Sequence, residues 1–114
     1  MILQAIREML FPAKMDNVKV LSPEVFKSRI ASGVPVLLDV RTQREFKQGH
    51  IEGARNLDIF HTGKFQSQCE LLNRDQPVYL YCRSGNRSRK ASRILIRMGF
   101  REIYDLKGGI LNWY

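Results

Sequence analysis

Apolar residues fall into two alternating rhythms along this chain. Short runs rich in β-branched, aliphatic or aromatic residues occur at residues 18–21, 34–40, 78–81 and 102–106, the lengths and compositions of strands. Between them lie stretches with helical spacing. Val25, Phe26 and Ile30 mark the buried face of a helix reaching about Ser32, Phe65, Cys69 and Leu72 mark a second over residues 65–72, and Ala91, Ile94, Leu95 and Met98 mark a third beginning at Ser88. Ser22-Pro23 supplies an N-cap with proline in the first turn, Thr42 with Glu45 forms a capping box for a short helix through Lys47, and Gly33 and Gly99 close two helices. Residues 34–40 are the most apolar run, as expected of a central strand covered on both faces. Strands alternating with helices predict an α/β sandwich: a mainly parallel sheet of four or five strands with helices on both faces and right-handed crossovers.

Residues 1–11 repeat the helical rhythm with Ile2, Leu3, Ile6, Met9 and Leu10 on one face before Pro12. They lack the basic start and continuous apolar core of a secretory leader, and Glu8 interrupts them. The expectation is an amphipathic extension over residues 1–15 packed on the domain, with docking to a membrane surface or a partner as the alternative.

At 114 residues there is room for one domain. An apolar fraction of 44% and a charged fraction of 26% exclude a disordered or membrane-spanning chain. The two cysteines, Cys69 and Cys82, have neither metal-ligand spacing nor the density of a disulfide scaffold, so no metal or cofactor is expected and a reducing, cytoplasmic setting is. A formal charge of +8 is concentrated after residue 82, where Arg83, Arg87, Arg89, Lys90, Arg93, Arg97 and Arg101 are interrupted by no acidic residue. Such a stripe either steers an anionic substrate or serves as a solvated basic face. It lacks the interleaved aromatic residues of a nucleic-acid surface, and nucleic acid is not an expected partner.

The candidate chemistry lies where strand 78–81 turns into the third helix. Cys82 opens that turn, Arg83 and Arg87 bracket it, and Gly85 lets backbone N–H groups point inward as a small anion-binding nest. The helix N-terminus adds the positive end of its dipole, and a thiolate is an anion suited to such a cradle. An inert core cysteine is the competing reading.

The loop Cys82-Arg83-Ser84-Gly85-Asn86-Arg87-Ser88 resembles the active-site loop of single-domain rhodanese (thiosulfate sulfurtransferase) proteins. Three further segments match in order: Leu38-Asp39-Val40-Arg41 with Glu45-Phe46, then Gly49-His50-Ile51-Glu52-Gly53-Ala54, then Leu106-Lys107-Gly108-Gly109-Ile110 with Trp113. The resemblance implies a rhodanese-like three-layer sandwich over residues 16–114, and transfer of a sulfane sulfur from thiosulfate or a similar small anionic donor. Cys82 would carry the sulfur as a persulfide to cyanide, a thiol or an acceptor protein, with residues 83–88 (Arg83, Ser84, Gly85, Asn86, Arg87, Ser88) holding donor and persulfide and Asp39 and Arg41 in support. The same thiol would equally serve a non-turnover persulfide carrier or interaction module. A cysteine-based phosphatase or arsenate reductase is less consistent. Such loops place five residues between cysteine and arginine, but here Arg87 follows Cys82 after four and no general acid can be assigned.

His50 falls in a matching structural segment and reads as a structural histidine, and His61 as a loop residue. Cys69 reads as a core residue, with a Cys69–Cys82 disulfide under oxidation as the alternative. A monomer is expected.

Overall fold

The computed structural model describes residues 14–114, so the amphipathic helix expected over residues 1–11 lies outside the described residues. Five strands make one sheet: β1 (Val18–Leu21), β2 (Val36–Asp39), β3 (Arg55–Asn56), β4 (Val78–Tyr81) and β5 (Ile103–Leu106). Their order is β1-β5-β4-β2-β3 and every pairing is parallel. The helices are α1 (Pro23–Ala31), α2 (Gln43–Lys47), α3 (Thr62–Cys69) and α4 (Asn86–Arg97), with 3-10 turns at Met15–Asn17 and Ile110–Asn112.

The near-continuous apolar character of β2 and β4 has its cause in their position. Both are buried at all four residues, as strands covered on two faces must be. Side-chain alternation splits the core in two. Val36, Leu38, Val78, Leu80 and Ile103 face Phe65 and Cys69 of α3 and Ala91 and Leu95 of α4. Leu37, Tyr79, Tyr81 and Leu106 face Phe26 of α1 and Ile110. Phe26 is fully buried and meets Tyr79 and Trp113 edge-on at centroid distances of 5.6 and 6.1 Å. The result is the three-layer α/β sandwich expected, with five strands.

The caps form as the sequence requires. The Ser22 side chain accepts the Val25 N–H at 3.3 Å, and the Thr42–Glu45 box is complete in both directions.

Four details differ from expectation. Strand β2 starts at Val36 rather than residue 34, because Pro35 has no N–H to give a central ladder. Val25 is exposed, since α1 buries a narrow stripe through Phe26. Helix α3 begins and ends three residues earlier than the apolar spacing indicated. The turn before it is set by Asp58, whose carboxylate accepts the Phe60 N–H at 2.8 Å, and Leu72 packs on the core from beyond the helix end. Helix α4 begins at Asn86, so Asn86 and Arg87 belong to its first turn.

Candidate active site

All five strands run in one direction, so the C-terminal ends of β2 and β4 bring residues 39–41 and 82–88 to the same edge of the sheet, where open parallel sheets place their sites. Cys82 follows β4 directly and continues the face formed by Val78 and Leu80, which carries it under α4. It is 1% exposed. The chain then reverses through Gly85, the residue before α4, at φ +113° and ψ −17°. An added Cβ there would meet nothing within 4 Å, so glycine is required by the backbone angle alone.

That turn aims the loop at the sulfur. The Gly85 N–H donates to Cys82 Sγ at 3.0 Å. The Cys82 thiol reaches Ser88 Oγ at 3.4 Å, and the Ser88 hydroxyl donates to the Gly85 carbonyl at 3.1 Å. With α4 starting at Asn86, the sulfur also lies at the positive end of a twelve-residue helix. A backbone N–H and a helix start thus converge on one sulfur atom.

The loop is fixed from two sides. The amides of Ile110 and Leu111 donate to the carbonyls of Cys82 and Arg83 at 2.9 and 3.2 Å. Gly109 makes this approach possible: at φ +67° it lies so close that a Cβ would collide with the Arg83 carbonyl and the Ser84 nitrogen. On the other side, Arg87 makes a two-pronged pair with Glu45 of α2, Nη1 to Oε1 at 2.7 Å and Nη2 to Oε2 at 2.8 Å. Its guanidinium also lies over the exposed Phe60 ring at 5.3 Å. Glu45 Oε1 accepts in addition from the Thr42 hydroxyl and N–H at 3.1 and 3.2 Å. The hydrogen bond from Arg87 holds the Glu45 carboxyl at about 2, well below its ordinary value.

One residue before Thr42, Arg41 clamps Asp39. Arg41 Nε lies 3.0 Å from Asp39 Oδ1 and Nη2 2.6 Å from Oδ2, and Nη2 also donates to the Gly49 carbonyl at 2.7 Å. Asp39 is fully buried and Arg41 6% exposed. Neither touches the sulfur; they anchor the end of β2, from which Thr42 and Glu45 reach the loop. Asn56 of β3 ties the same end by donating to the Asp39 and Arg41 carbonyls at 3.0 and 2.8 Å.

The residues singled out from sequence thus separate. Cys82, Gly85 and Ser88 converge on the sulfur. Arg87 turns to Glu45, while Arg83, Ser84 and Asn86 remain exposed on the loop and first helical turn. Arg89, Lys90 and Arg97 form an exposed basic stripe along α4. His50 stacks on Phe46 at 3.7 Å and shares a 2.9 Å hydrogen bond with the Phe46 carbonyl, a structural arrangement. His61 is exposed beside Asp58 at 3.7 Å. Cys69 is fully buried, and burial pushes its thiol up to about 12.

Beyond its Thr42 cap, the pairing of Glu45 with Arg87, the steric role of Gly109 and the burial of Asp105 emerge only from the structure. The adjacent glycines 108 and 109, and a carboxylate inside an otherwise apolar strand, were the available signals.

A parallel sandwich with a cysteine loop between β4 and α4 defines a rhodanese-type protein. The chain belongs to the rhodanese-like family: residues 22–114 match the model of the Rhodanese-like domain. Among its relatives is the thiosulfate sulfurtransferase GlpE of Ectopseudomonas mendocina, 34% identical over 99 residues that cover 87% of each chain. The tRNA uridine(34) hydroxylase of Chlamydia abortus is 34% identical over 100 residues, which are 83% of this chain and only 31% of that protein. A solved rhodanese-like domain protein from Staphylococcus aureus superposes with a TM-score of 0.73 at 25% identity, covering 84% of this chain and 91% of its own.

Proposed function

We propose that this domain is a sulfurtransferase with Cys82 as the sulfur carrier and thiosulfate or a similar sulfane compound as donor. The observation that carries the reading is the Gly85 N–H directed at Cys82 Sγ from the turn that starts α4. The GlpE relative, matched along nearly its whole length, supports the choice of donor. The tRNA uridine(34) hydroxylase is matched over under a third of its length and lends its activity no such support.

The thiolate of Cys82 attacks the outer sulfur of thiosulfate. The S–S bond of the donor breaks, its electron pair leaves with sulfite, and Cys82 becomes a persulfide. Sulfite is a stable anion, so the step needs no general acid. An acceptor nucleophile, such as cyanide or a thiolate, then attacks the outer sulfur and the electron pair returns to Cys82 Sγ. The Gly85 N–H is the donor aimed at the sulfur in both steps, and Ser88 Oγ lies beside it as the acceptor of the resting thiol. Arg83, exposed and next to the cysteine, receives the anionic donor, while Arg87 keeps the loop in place through Glu45.

Intact-mass measurement after incubation with thiosulfate tests this. One sulfur atom is added to the wild type and removed by cyanide, and Cys82→Ser gains none. A wild type that gains no sulfur overturns the reading. Repeated turnover of thiosulfate with cyanide identifies an enzyme, whereas persulfide discharged only to a protein identifies a carrier.

A further inference from the structure

A cavity of about 210 Å³ lies between the start of α4 and the edge strand β1, where the end of β5 also borders it. The sulfur-transfer steps make no use of it. Three charged side chains from three places line it: Asp105 on β5, Arg89 on α4 and Lys107 just beyond β5. Asp105 stands between Val20 of β1 and Leu80 of β4, is 5% exposed, and its Oδ1 has no hydrogen-bond partner among the described residues. A buried carboxylate left so costs free energy until a group donates to it. Arg89 and Lys107 are exposed, and no ion pair joins either of them to Asp105 or to another carboxylate among the described residues. One cavity therefore holds an acid and two cations that do not neutralise one another.

A ligand carrying both charges complements such walls, whereas a simple anion or a simple cation satisfies only one of them. Size narrows the choice. At about 30 Å³ for each water-sized group, the volume takes about seven non-hydrogen atoms, too few for a nucleotide or a peptide and enough for an amino acid with a short side chain. Met15, Val18 and Val20 supply an apolar wall for that side chain.

We propose that this cavity binds a small aliphatic amino acid, with its ammonium on the Asp105 carboxylate, its carboxylate between Arg89 and Lys107, and its side chain against Val18 and Val20. Burial pushes the Asp105 carboxyl up to about 7, and an ammonium beside it supplies the counter-charge that holds it ionised. Gly85 also lines the cavity, so a bound ligand abuts the turn whose N–H donates to Cys82 Sγ at 3.0 Å. The site stands whether or not Cys82 transfers sulfur.

Amide NMR of the full chain, titrated with L-valine at about pH 8 so that Asp105 is ionised, tests the site. The expected result is saturable shifts at Val18, Val20, Gly85, Arg89 and Gly108, with a dissociation constant of about 1 mM. Isobutylamine lacks the carboxylate of valine and isovalerate lacks its ammonium, and each is expected to bind at least about tenfold more weakly. Asp105→Asn removes the advantage of L-valine over isovalerate, and Arg89→Gln combined with Lys107→Gln removes its advantage over isobutylamine. The proposal is overturned if L-valine gives no saturable shifts up to about 20 mM, if the shifts centre on other residues, or if the wild type binds all three compounds alike. Should Asp105→Asn fail to fold, the double variant, altered at two exposed positions, and the ligand series on the wild type decide.

Discussion

Arg87 and Glu45, 42 residues apart in the chain, meet in two parallel hydrogen bonds that tie the first turn of α4 to the capping box of α2. The most suggestive cation of the cysteine loop is therefore a strut, and Arg83 is the loop arginine left exposed.

This pair has a pH signature. Glu45 is held at about 2 in the folded chain, against about 4.3 for an unperturbed glutamate, so the stability it contributes is complete above pH 5 and is lost as pH falls from there toward 2. Glu45→Gln, which keeps the shape, is expected to cost about 1–2 kcal/mol at pH 7 and almost nothing at pH 2, measured by urea unfolding at both values.

Two glycines hold the loop for different reasons, and alanine separates them. Gly85→Ala meets open space and bears only the cost of its backbone angle, about 1–2 kcal/mol. Gly109→Ala adds a collision with the Arg83 backbone to a strained angle and is expected to cost about 2–4 kcal/mol. Denaturant midpoints give the order. In Gly109→Ala, backbone shifts at Cys82 and Arg83 in an amide NMR spectrum check that the damage reaches the cysteine.

The Asp39–Arg41 pair is buried, and removing the cation leaves a buried carboxylate held by the backbone N–H of residue 41 with no counter-charge. Arg41→Ala is expected to destabilise by about 3–5 kcal/mol, while Arg83→Ala, an exposed arginine two residues before Gly85, stays within about 0.5 kcal/mol. Their catalytic consequences invert: Arg83→Ala raises KM for thiosulfate, and Arg41→Ala lowers the amount of folded enzyme. Paired unfolding and steady-state measurements resolve the two.

Cys69 is fully buried in the core and held as a thiol up to about pH 12. Iodoacetamide at pH 8–9 is expected to leave Cys69 unmodified in the folded chain and to label it on unfolding in urea, as peptide mapping would show.

The elements that came out of the sequence are those whose cause is local. Ser22-Pro23 and the Thr42–Glu45 box start helices through contacts three residues apart, and β4 is buried because every one of its residues is apolar. What stayed hidden is tertiary. Nothing in the spacing of Arg87 names Glu45, and nothing in Gly109 announces the Arg83 carbonyl. Even at the start of β2, where the cause is local, the missing N–H of Pro35 outweighs the apolar character of residues 34–35. Asp105 was visible as an acidic residue between Tyr104 and Leu106, but its burial follows from the position of β5 between β1 and β4.

The amides of Ile110 and Leu111 grip the carbonyls of Cys82 and Arg83 just before the chain reaches Trp113. A displacement of the 110–113 turn is therefore transmitted straight to the Cys82 backbone, so the geometry around the sulfur is set as much from the C-terminal turn as from the loop itself.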